Sequence, residues 1–388
     1  MKSERSIYLL LVSTLLGTFG SSLFWTGFPI FYSSIGAVSH SLSGIYAFAT
    51  FGTLLFTLIG GLVSDIGNYK KLSVVSSLVS LIFISVFFTF AHTDFKGLIV
   101  YLLPLMYFNL SLGAISEATW LLKKSDLSEF KNAILNRSML TILSKLSGFS
   151  LGPFVFLNFQ DAGFIFCSLS FLVAAAVQIF LYFKESDVER SVVSSASIAE
   201  SFRNLSSVFL DRSFVVAAFL SGLLSIPLNP VFIEKLKIIG STSHASNFWF
   251  FAGLSGLIAT LVMKKTNILD RNHGLLFLTV LMVIMLTLAF NVKSPQLLIL
   301  FSSLYVFCSI HFTVKTQVVA ATSAKLVTLG SSVGAASALM DLGVFIGMVI
   351  GSFIHSLSFD VLLIGASGLL IARWMAFQGG GLFRRIGS

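Results

Sequence analysis

Six ionisable side chains lie within stretches of the chain that are otherwise almost wholly apolar: Glu117, Arg137, Lys145, His311, Lys315 and Asp341. If these stretches cross a membrane, each group costs on the order of 2.5–3.5 kcal/mol at a helix centre when it is charged and unpaired. Their presence therefore indicates a binding role, a proton-transfer role or a buried ion pair. Glu117 and Arg137, both near an end of their stretch, could form a structural ion pair. Lys315 could extend to the membrane surface, and His311 could be a neutral packing residue.

The chemistry of this set suits proton exchange and the binding of an anion. The side chains of Glu117, Asp341 and His311 can each take up and release a proton. The basic members of the set outnumber the two carboxylates, and Lys145 and Asp341 lie deepest in their stretches. This balance favours an anionic or zwitterionic organic solute as the ligand, a carboxylate-bearing metabolite or a siderophore being one example.

Helical spacing places several polar residues on shared stripes. The stripes are formed by Asn109, Gly113, Glu117 and Trp120, by Arg137, Thr141, Lys145, Gly148 and Gly152, and by His311 with Lys315. Polar stripes of this kind are expected to converge on a cavity. Trp25, near Pro29, and Asn229, between two prolines, complete the predicted lining, although a lone tryptophan more often packs than binds a ligand.

The composition identifies an integral membrane protein. Of the 388 residues, 56% are hydrophobic and only 11% are charged, and the mean hydropathy is +0.94. A soluble domain could not keep this much apolar surface from water. Runs of about 20 apolar residues predict twelve membrane-spanning helices and an all-α fold. The predicted spans are 7–33, 43–63, 72–92, 98–121, 133–157, 163–183, 213–233, 245–263, 274–291, 296–320, 330–355 and 358–377.

The basic residues predict the orientation in the membrane. With the N-terminus in the cytoplasm, eighteen lysines and arginines fall on the cytoplasmic side and four on the other. The positive-inside rule then predicts a multi-pass protein of the cell (inner) membrane with both termini in the cytoplasm. The net charge of +9 is explained by this topology, so we expect no nucleic-acid partner. Both cysteines fall within spans and the six histidines lack metal-ligand spacing, so neither a disulfide nor a bound metal or cofactor is expected.

The chain divides into two halves of six predicted spans. The serine-rich, charged segment 185–212 is typical of a cytoplasmic linker that could carry a surface helix, between an N-terminal bundle (1–184) and a C-terminal bundle (213–388). Three short matches relate the halves at an offset of 199 to 201 residues, for example LIGGLV at 58–63 and LIATLV at 257–262. The matches predict a duplicated unit and pseudo-symmetric bundles, which is the layout of many transporters.

The segment GGLVSDIGNYKKL at 60–72 places an aspartate and two lysines directly after a predicted span. It resembles the loop signature of the major facilitator superfamily (MFS), and the matching residues are Gly61, Asp65, Lys70 and Lys71. Ile66 stands where the signature has its first basic residue, and Asn68 stands where it has a turn glycine. The resemblance implies that Asp65 accepts hydrogen bonds from the N-terminus of the eleventh span, here 330–355, and so closes the cytoplasmic side, and that Gly61 permits a close approach. The alternative is an aspartate that only interacts with the lysines of its own loop.

A second segment, SGFSLGPF at 147–154, is similar to the fifth-span signature of proton-coupled exporters in that superfamily. Gly148, Gly152 and Pro153 carry the similarity, although the signature's following glycine pair is absent. Small residues four apart also occur in ordinary helix packing. The superfamily's fourth-span signature has an arginine four residues before a glycine, and here Asn109 occupies that position before Gly113. A proton-binding group would therefore have to lie elsewhere.

These observations predict a monomeric, non-enzymatic secondary transporter with the MFS fold, which moves a small organic solute across the bilayer by alternating access. No nucleotide-binding loop with GKS or GKT is present, so an ion gradient or the gradient of the solute would drive transport, with protons as the expected ion. We expect a proton-coupled exporter. An uptake symporter would share the same features, and a membrane receptor or scaffold without transport is the alternative from another class.

Overall fold

The computed structural model describes most of the chain. The described residues are 2–34, 51, 53, 57, 59–66, 68–124, 130–186, 198–224, 232, 235–236, 238–239, 245–266, 272–323, 329–352 and 359–379. Within them the chain is helical almost throughout, with one 3₁₀ helix at Asp94–Leu98 and a short helical segment at 59–66. The longer helices are α1 (Lys2–Ser34), α2 (Tyr69–Ala91), α3 (Ile99–Lys124), α4 (Phe130–Asn158), α5 (Gln160–Ser186), α6 (Ile198–Leu210), α7 (Arg212–Leu223), α8 (Ala245–Lys265), α9 (Asn272–Asn291), α10 (Pro295–Ser323), α11 (Leu329–Ser352) and α12 (Phe359–Gly379).

The helix bounds agree with the predicted spans. The span predicted at 133–157 corresponds to Phe130–Asn158, and that at 274–291 corresponds to Asn272–Asn291. Among the described residues, eight helices are long and apolar enough to cross a membrane, and a ninth is added if Ala199–Leu210 and Arg212–Leu223 form one bent span. The span predicted at 43–63 lies mostly outside the described residues, so the count of twelve stays a prediction. The apolar helices confirm an integral membrane protein.

Two helix starts show how the sequence fixes local structure. The side chain of Asn68 accepts a hydrogen bond of 3.0 Å from the backbone N–H of Lys71, and that of Asp211 accepts one of 3.0 Å from Phe214. Both residues therefore cap the first turn of the following helix. Asn68, which stands where the loop signature has a turn glycine, does not adopt left-handed geometry. Its backbone is extended, with φ of −82°, because the residue acts as an N-cap.

The first compact unit comprises residues 1–205 and 324–338. In it α1 packs against α4 and α5, and α2 packs against α3 and α5. One end of its core is a cluster of phenylalanines, in which Phe24 and Phe28 stack with ring centroids 4.6 Å apart and Phe87 stacks 5.4 Å from Phe24. Stacked rings bury a large apolar area and add roughly 0.5–1.5 kcal/mol per pair, so this cluster holds α1 and α2 together.

Glycines allow α1 and α4 to approach each other closely. A Cβ atom added at Gly148 would lie 2.6 Å from the Cβ of Ser22, and one at Gly152 would lie 2.6 Å from the backbone oxygen of Leu23. The hydroxyl of Thr26 donates a 3.4 Å hydrogen bond to the Gly148 carbonyl oxygen across the same interface. The two glycines of the SGFSLGPF segment therefore face α1, and α4 continues through Pro153.

Gly152→Val is expected to destabilise this interface. The added Cβ would meet backbone atoms of α1, which cannot rotate away, and overpacking of this kind costs about 1–3 kcal/mol. Thermal unfolding of the purified protein should show a lower Tm for Gly152→Val. The neighbouring exposed residue supplies the control, since Leu151→Val on the lipid-facing side should leave the Tm within about 1 °C. An unchanged Tm for Gly152→Val would contradict the close packing.

The second compact unit comprises residues 206–323 and 339–388. In it α10 packs against α8 and α9, and α12 packs against α7 and α9. A Cβ added at Gly343 on α11 would lie 2.7 Å from the backbone nitrogen of Leu223, so α7 and α11 also cross closely. The hydroxyl of Tyr305 donates a 2.7 Å hydrogen bond to the carbonyl oxygen of Leu224 at the end of α7.

One of the eighteen basic residues counted on the cytoplasmic side is buried inside a helix. Arg373, counted among the cytoplasmic charges, lies inside α12 and its side chain is fully buried. Removing it from the count leaves seventeen basic residues against four, so the predicted orientation does not depend on it. The burial arises because the side chain turns inward onto α10 and does not extend to the membrane surface.

Candidate functional site

Asp65 lies at the end of the helical segment 59–66 and accepts two hydrogen bonds from the start of α11. Its Oδ1 accepts 2.7 Å from the backbone N–H of Gly330, and its Oδ2 accepts 2.7 Å from that of Ser331. Its side chain is 1% exposed. Both N–H groups belong to the first turn of α11, where no preceding carbonyl is available to accept them. The carboxylate thus satisfies two otherwise unpaired donors and lies at the positive end of the helix dipole. This is the contact that the loop resemblance implied.

Small residues bring the two helices together around this contact. A Cβ added at Gly61 would lie 2.6 Å from the carbonyl oxygen of Gly330 and 3.0 Å from the Cα of Gly334. A side chain at position 61 would therefore separate the helices and lengthen both hydrogen bonds of Asp65. Gly61 and Asp65 are one helical turn apart, which places the packing position and the charged position on the same face.

The charge that acts on Asp65 is that of Lys123, at the end of α3. Burial raises the pKa of the Asp65 carboxyl, and the hydrogen bonds from Ser331 and Gly330 and the charge of Lys123 oppose this increase. Burial likewise lowers the pKa of Lys123, and the charge of Asp65 opposes the decrease. Lys123 could not be predicted as a partner from the sequence, because it follows Asp65 by 58 residues and only the packing of the helices brings it close.

The two loop lysines are placed differently from each other. Lys70 is buried, with its Nζ 5.9 Å from the centroid of the Trp120 ring, whereas the side chain of Lys71 is exposed. Lys123 lies over the ring of Tyr69 at 4.6 Å. Cation–π contacts of this kind contribute roughly 0.5–2 kcal/mol, so Lys70 and Lys123 fix the ends of α2 and α3 beside Asp65.

A second polar cluster is built around Glu117 in the interior of the first unit. The amide of Gln178 on α5 donates to Oε1 of Glu117 at 3.4 Å and to the hydroxyl of Ser13 on α1 at 2.8 Å. The hydroxyl of Ser77 on α2 donates 3.0 Å to the oxygen of the same amide. Glu117 is 8% exposed. Gln178 was missed, although a glutamine within the apolar run VAAAVQIFLYF was a usable signal.

Arg137 supplies the positive charge of this cluster. Its Nη2 donates a 2.9 Å hydrogen bond to the carbonyl oxygen of Ala114 on α3, and its charge interacts with that of Glu117. Its Nε is buried without a hydrogen-bond partner. Arg137 and Glu117 are thus electrostatic neighbours with no direct salt bridge within 4.0 Å. A water molecule or a ligand group between the two side chains would satisfy the free donor.

The stripe predicted on α3 packs against α2 at Asn109 and Gly113. The amide of Asn109 donates 2.8 Å to both the carbonyl oxygen of Ser76 and the hydroxyl of Ser80 on α2. A Cβ added at Gly113 would clash with the side chain of Ser76. Trp120, further along the same stripe, is fully buried in a core cluster. The cavity-lining role of Asn109 stays a prediction, and the observed role of its amide donors is to hold α2 and α3 together.

Two other predicted lining residues of the first unit are partly or fully accessible. Lys145 on α4 is exposed, whereas its neighbour Ser144 is buried and donates 2.8 Å to the carbonyl oxygen of Leu15. Lys145 therefore does not share the buried face of Gly148 and Gly152. Trp25 is half-buried and packs edge-on against Tyr107 with ring centroids 4.5 Å apart. Tyr107 was missed by the sequence analysis.

In the second unit the predicted residues lie on α10 and α11. His311 is fully buried, with Nδ1 2.9 Å from the carbonyl oxygen of Phe307, and its Nε2 has no partner. Lys315, one turn further along, is 9% exposed, so it does not extend to the membrane surface. Asp341 on α11 is half-buried. Asn229 lies outside the described residues. Across the described part of the chain, no three His, Cys, Asp or Glu side chains are grouped as a metal site requires.

No protein-family model matches the sequence, and no curated protein matches it. Solved structures do. The human organic anion transporter MFSD10 (TETRAN) superimposes with a TM-score of 0.68 at 16% identity, covering 97% of this chain and 100% of its own. A bacterial homologue of the iron transporter ferroportin, in the outward-facing state, superimposes with a TM-score of 0.69 at 18% identity and covers 98% and 99%. This chain has the major facilitator fold. At these identities the similarity carries the fold alone, and the prediction of the major facilitator fold from the 60–72 segment is confirmed.

Proposed function

We propose that this chain is a secondary active transporter that moves a small organic solute by alternating access. In this proposal the transport is coupled to protons and its direction is export. The observation that carries the proposal is the contact of Asp65 with the first turn of α11, within the major facilitator fold. Hydrogen bonds between a carboxylate and a helix N-terminus can break and re-form, because water can replace the carboxylate at the N–H groups and the N–H groups at the carboxylate. It therefore suits a contact that breaks and forms during each cycle.

An anionic or zwitterionic solute is supported by the charges. Arg137 has an unpartnered buried donor, and the buried lysine Lys315 and the exposed lysine Lys145 add two more cations. One of the similar structures is of an organic anion transporter, which agrees with this preference. The other is described as a homologue of an iron transporter, so iron belongs in any ligand screen.

Glu117 is the strongest proton-binding group in this proposal. Its partner Gln178 can present either an amide N–H or, after rotation, a carbonyl oxygen, so the cluster can satisfy both the charged and the protonated carboxyl. Arg137 favours the charged form, and a solute anion that approaches the guanidinium would offset its charge and favour proton uptake by Glu117. Asp341 and His311 remain the alternative proton carriers.

A thermal-shift screen of the purified protein identifies the solute. A ligand that binds only the folded protein at 100 times its Kd stabilises it by about 2.7 kcal/mol, which raises the Tm by several degrees. We expect hits among carboxylates and amino acids. Lys145→Ala should weaken binding of the hit without changing expression or monodispersity. The control is Lys124→Ala, at the end of α3, which should leave the affinity unchanged. Unchanged affinity would remove Lys145 from the site.

Flux experiments separate the alternatives. Inside-out vesicles that accumulate the hit when their lumen is acidic indicate an exporter, and right-side-out vesicles that accumulate it when the outside is acidic indicate an uptake symporter. A receptor or scaffold would bind the hit and show no flux in either orientation.

A further inference from the structure

The guanidinium of Arg373 is fully buried in the second unit, and no acidic side chain among the described residues pairs with it. Its Cζ lies 3.8 Å from the centroid of the Phe312 ring on α10, and its Nη2 lies 2.9 Å from the sulfur of Met282 on α9. Its Nε and Nη1 have no hydrogen-bond partner. Among the described residues, the guanidinium thus contacts a weakly accepting sulfur and an aromatic face.

These contacts do not compensate the charge. The ionisable groups that act on Arg373 are Tyr305 and Cys308, both of which are neutral in their ordinary state. The hydroxyl of Tyr305 already donates its hydrogen to the Leu224 carbonyl oxygen. Removing a cation from water costs more free energy than a single cation–π contact returns. The site therefore lacks a negative charge.

Further unpartnered donors lie close in sequence to Arg373 on α12. The indole Nε1 of Trp374 and the amide Nε2 of Gln378 are both buried without partners, but these residues lie about 100° and 140° around α12 from Arg373 and are not assigned to its site. On α10, the buried hydroxyl of Ser309 has no partner either, and helical spacing puts it on the face that carries Tyr305 and Phe312. A guanidinium group can only donate, so the free Nε and Nη1 of Arg373 suit an acceptor that takes several hydrogen bonds, and the Ser309 hydroxyl can add another.

We propose that α10 and α12 hold a compact anion, with Arg373 as its counter-charge and Ser309 as an additional donor. Two sources share this chemistry, namely a free inorganic anion and the phosphate group of a phospholipid. A phosphate has more acceptor oxygens, whereas a halide needs less space. This site is separate from the Glu117 cluster, which lies in the first unit, so it does not depend on the proposed transport function.

The test uses the purified full-length protein in detergent with its lipids removed. Its Tm is measured in sodium gluconate and then, at the same ionic strength, with sodium chloride, sodium phosphate or added phosphatidylglycerol. We expect one of the three to raise the Tm by about 2–4 °C. A response to chloride or phosphate identifies a free ion, and a response to the lipid alone identifies the head group.

Arg373→Gln should abolish that response and, in gluconate, should be at least as stable as the wild type, because it removes an uncompensated charge. Arg212→Gln removes an exposed arginine of the same unit and should keep the full response. If Arg373→Gln does not fold, Arg373→Lys, which keeps the charge with fewer donors, should show a smaller response. A wild-type Tm that none of the three additions changes overturns the proposal, and so does an equal response in Arg373→Gln.

Discussion

Asp65→Asn is expected to increase the labelling of a cysteine at position 57 by about tenfold. The reporter is Thr57→Cys in a chain whose two native cysteines are replaced by alanine. Thr57 is buried, and its carbonyl oxygen lies 3.2 Å from a Cβ built at Gly334 of α11, so it is protected while α11 stays in place. An asparagine loses the negative charge and presents an N–H₂ group to one of the two N–H donors. Hydrogen bonds to a charged group are worth about 1.5–3 kcal/mol, and 1.4 kcal/mol is a tenfold change in population.

The measurement is the rate of maleimide labelling of the purified variants, with Asp94→Asn as the control. Asp94 is an exposed aspartate in the 3₁₀ helix, and its replacement should leave the rate at position 57 unchanged. Ser331→Ala, which removes only a side-chain contact to Asp65, should give an intermediate rate. Equal labelling of all variants would show that the contact does not hold α11 against the 59–66 segment.

Glu117→Gln is expected to abolish solute-driven proton movement while it preserves solute counterflow. Glutamine keeps the size and the acceptor oxygen that faces Gln178, but it cannot bind and release a proton. Counterflow exchanges solute for solute and needs no net proton transfer. The expected loss in coupled transport is therefore at least about 100-fold, the usual lower range for removing a group that transfers a proton.

Protein stability provides the control for this variant. Removing one partner of a buried charge pair costs about 3–5 kcal/mol, so Glu117→Gln could lower the Tm through Arg137 alone. The double variant Glu117→Gln with Arg137→Gln should recover the Tm and still fail to move protons. Asp341→Asn should retain coupled transport. If Asp341→Asn loses coupling and Glu117→Gln keeps it, the proton carrier is Asp341.

The sequence predicts the helices well and their side-chain partners poorly. Helix ends follow from local signals, such as the apolar run of α9 and the cap at Asp211, which do not depend on the rest of the fold. The partner of Asp65 was predicted only through the loop resemblance. Nothing in the 60–72 segment itself indicates that Gly330 and Ser331, more than 260 residues away, supply the donors.

The orientation of polar side chains is where the predictions differ most from the structure. Helical spacing correctly places Asn109 and Glu117 on one stripe of α3, but it cannot tell whether that stripe faces a cavity or a neighbouring helix. At Asn109 the stripe faces the neighbouring helix α2, because the small side chain of Ser76 leaves room for the Asn109 amide. Lys145 is predicted on the stripe of Gly148 and Gly152, but its side chain is exposed. A rotation of about 100° around the helix separates it from the buried Ser144.

The most direct test of the proposed function is a proton-flux measurement on proteoliposomes that contain a pH-sensitive dye. The solute is the hit from the thermal-shift screen, and it is added without any imposed gradient. Wild-type protein should change the internal pH as the solute moves, and Glu117→Gln proteoliposomes should show no pH change although they bind the solute. Wild-type proteoliposomes that bind the solute, show no pH change and move no radiolabelled solute would contradict the proposal that this chain is a proton-coupled transporter.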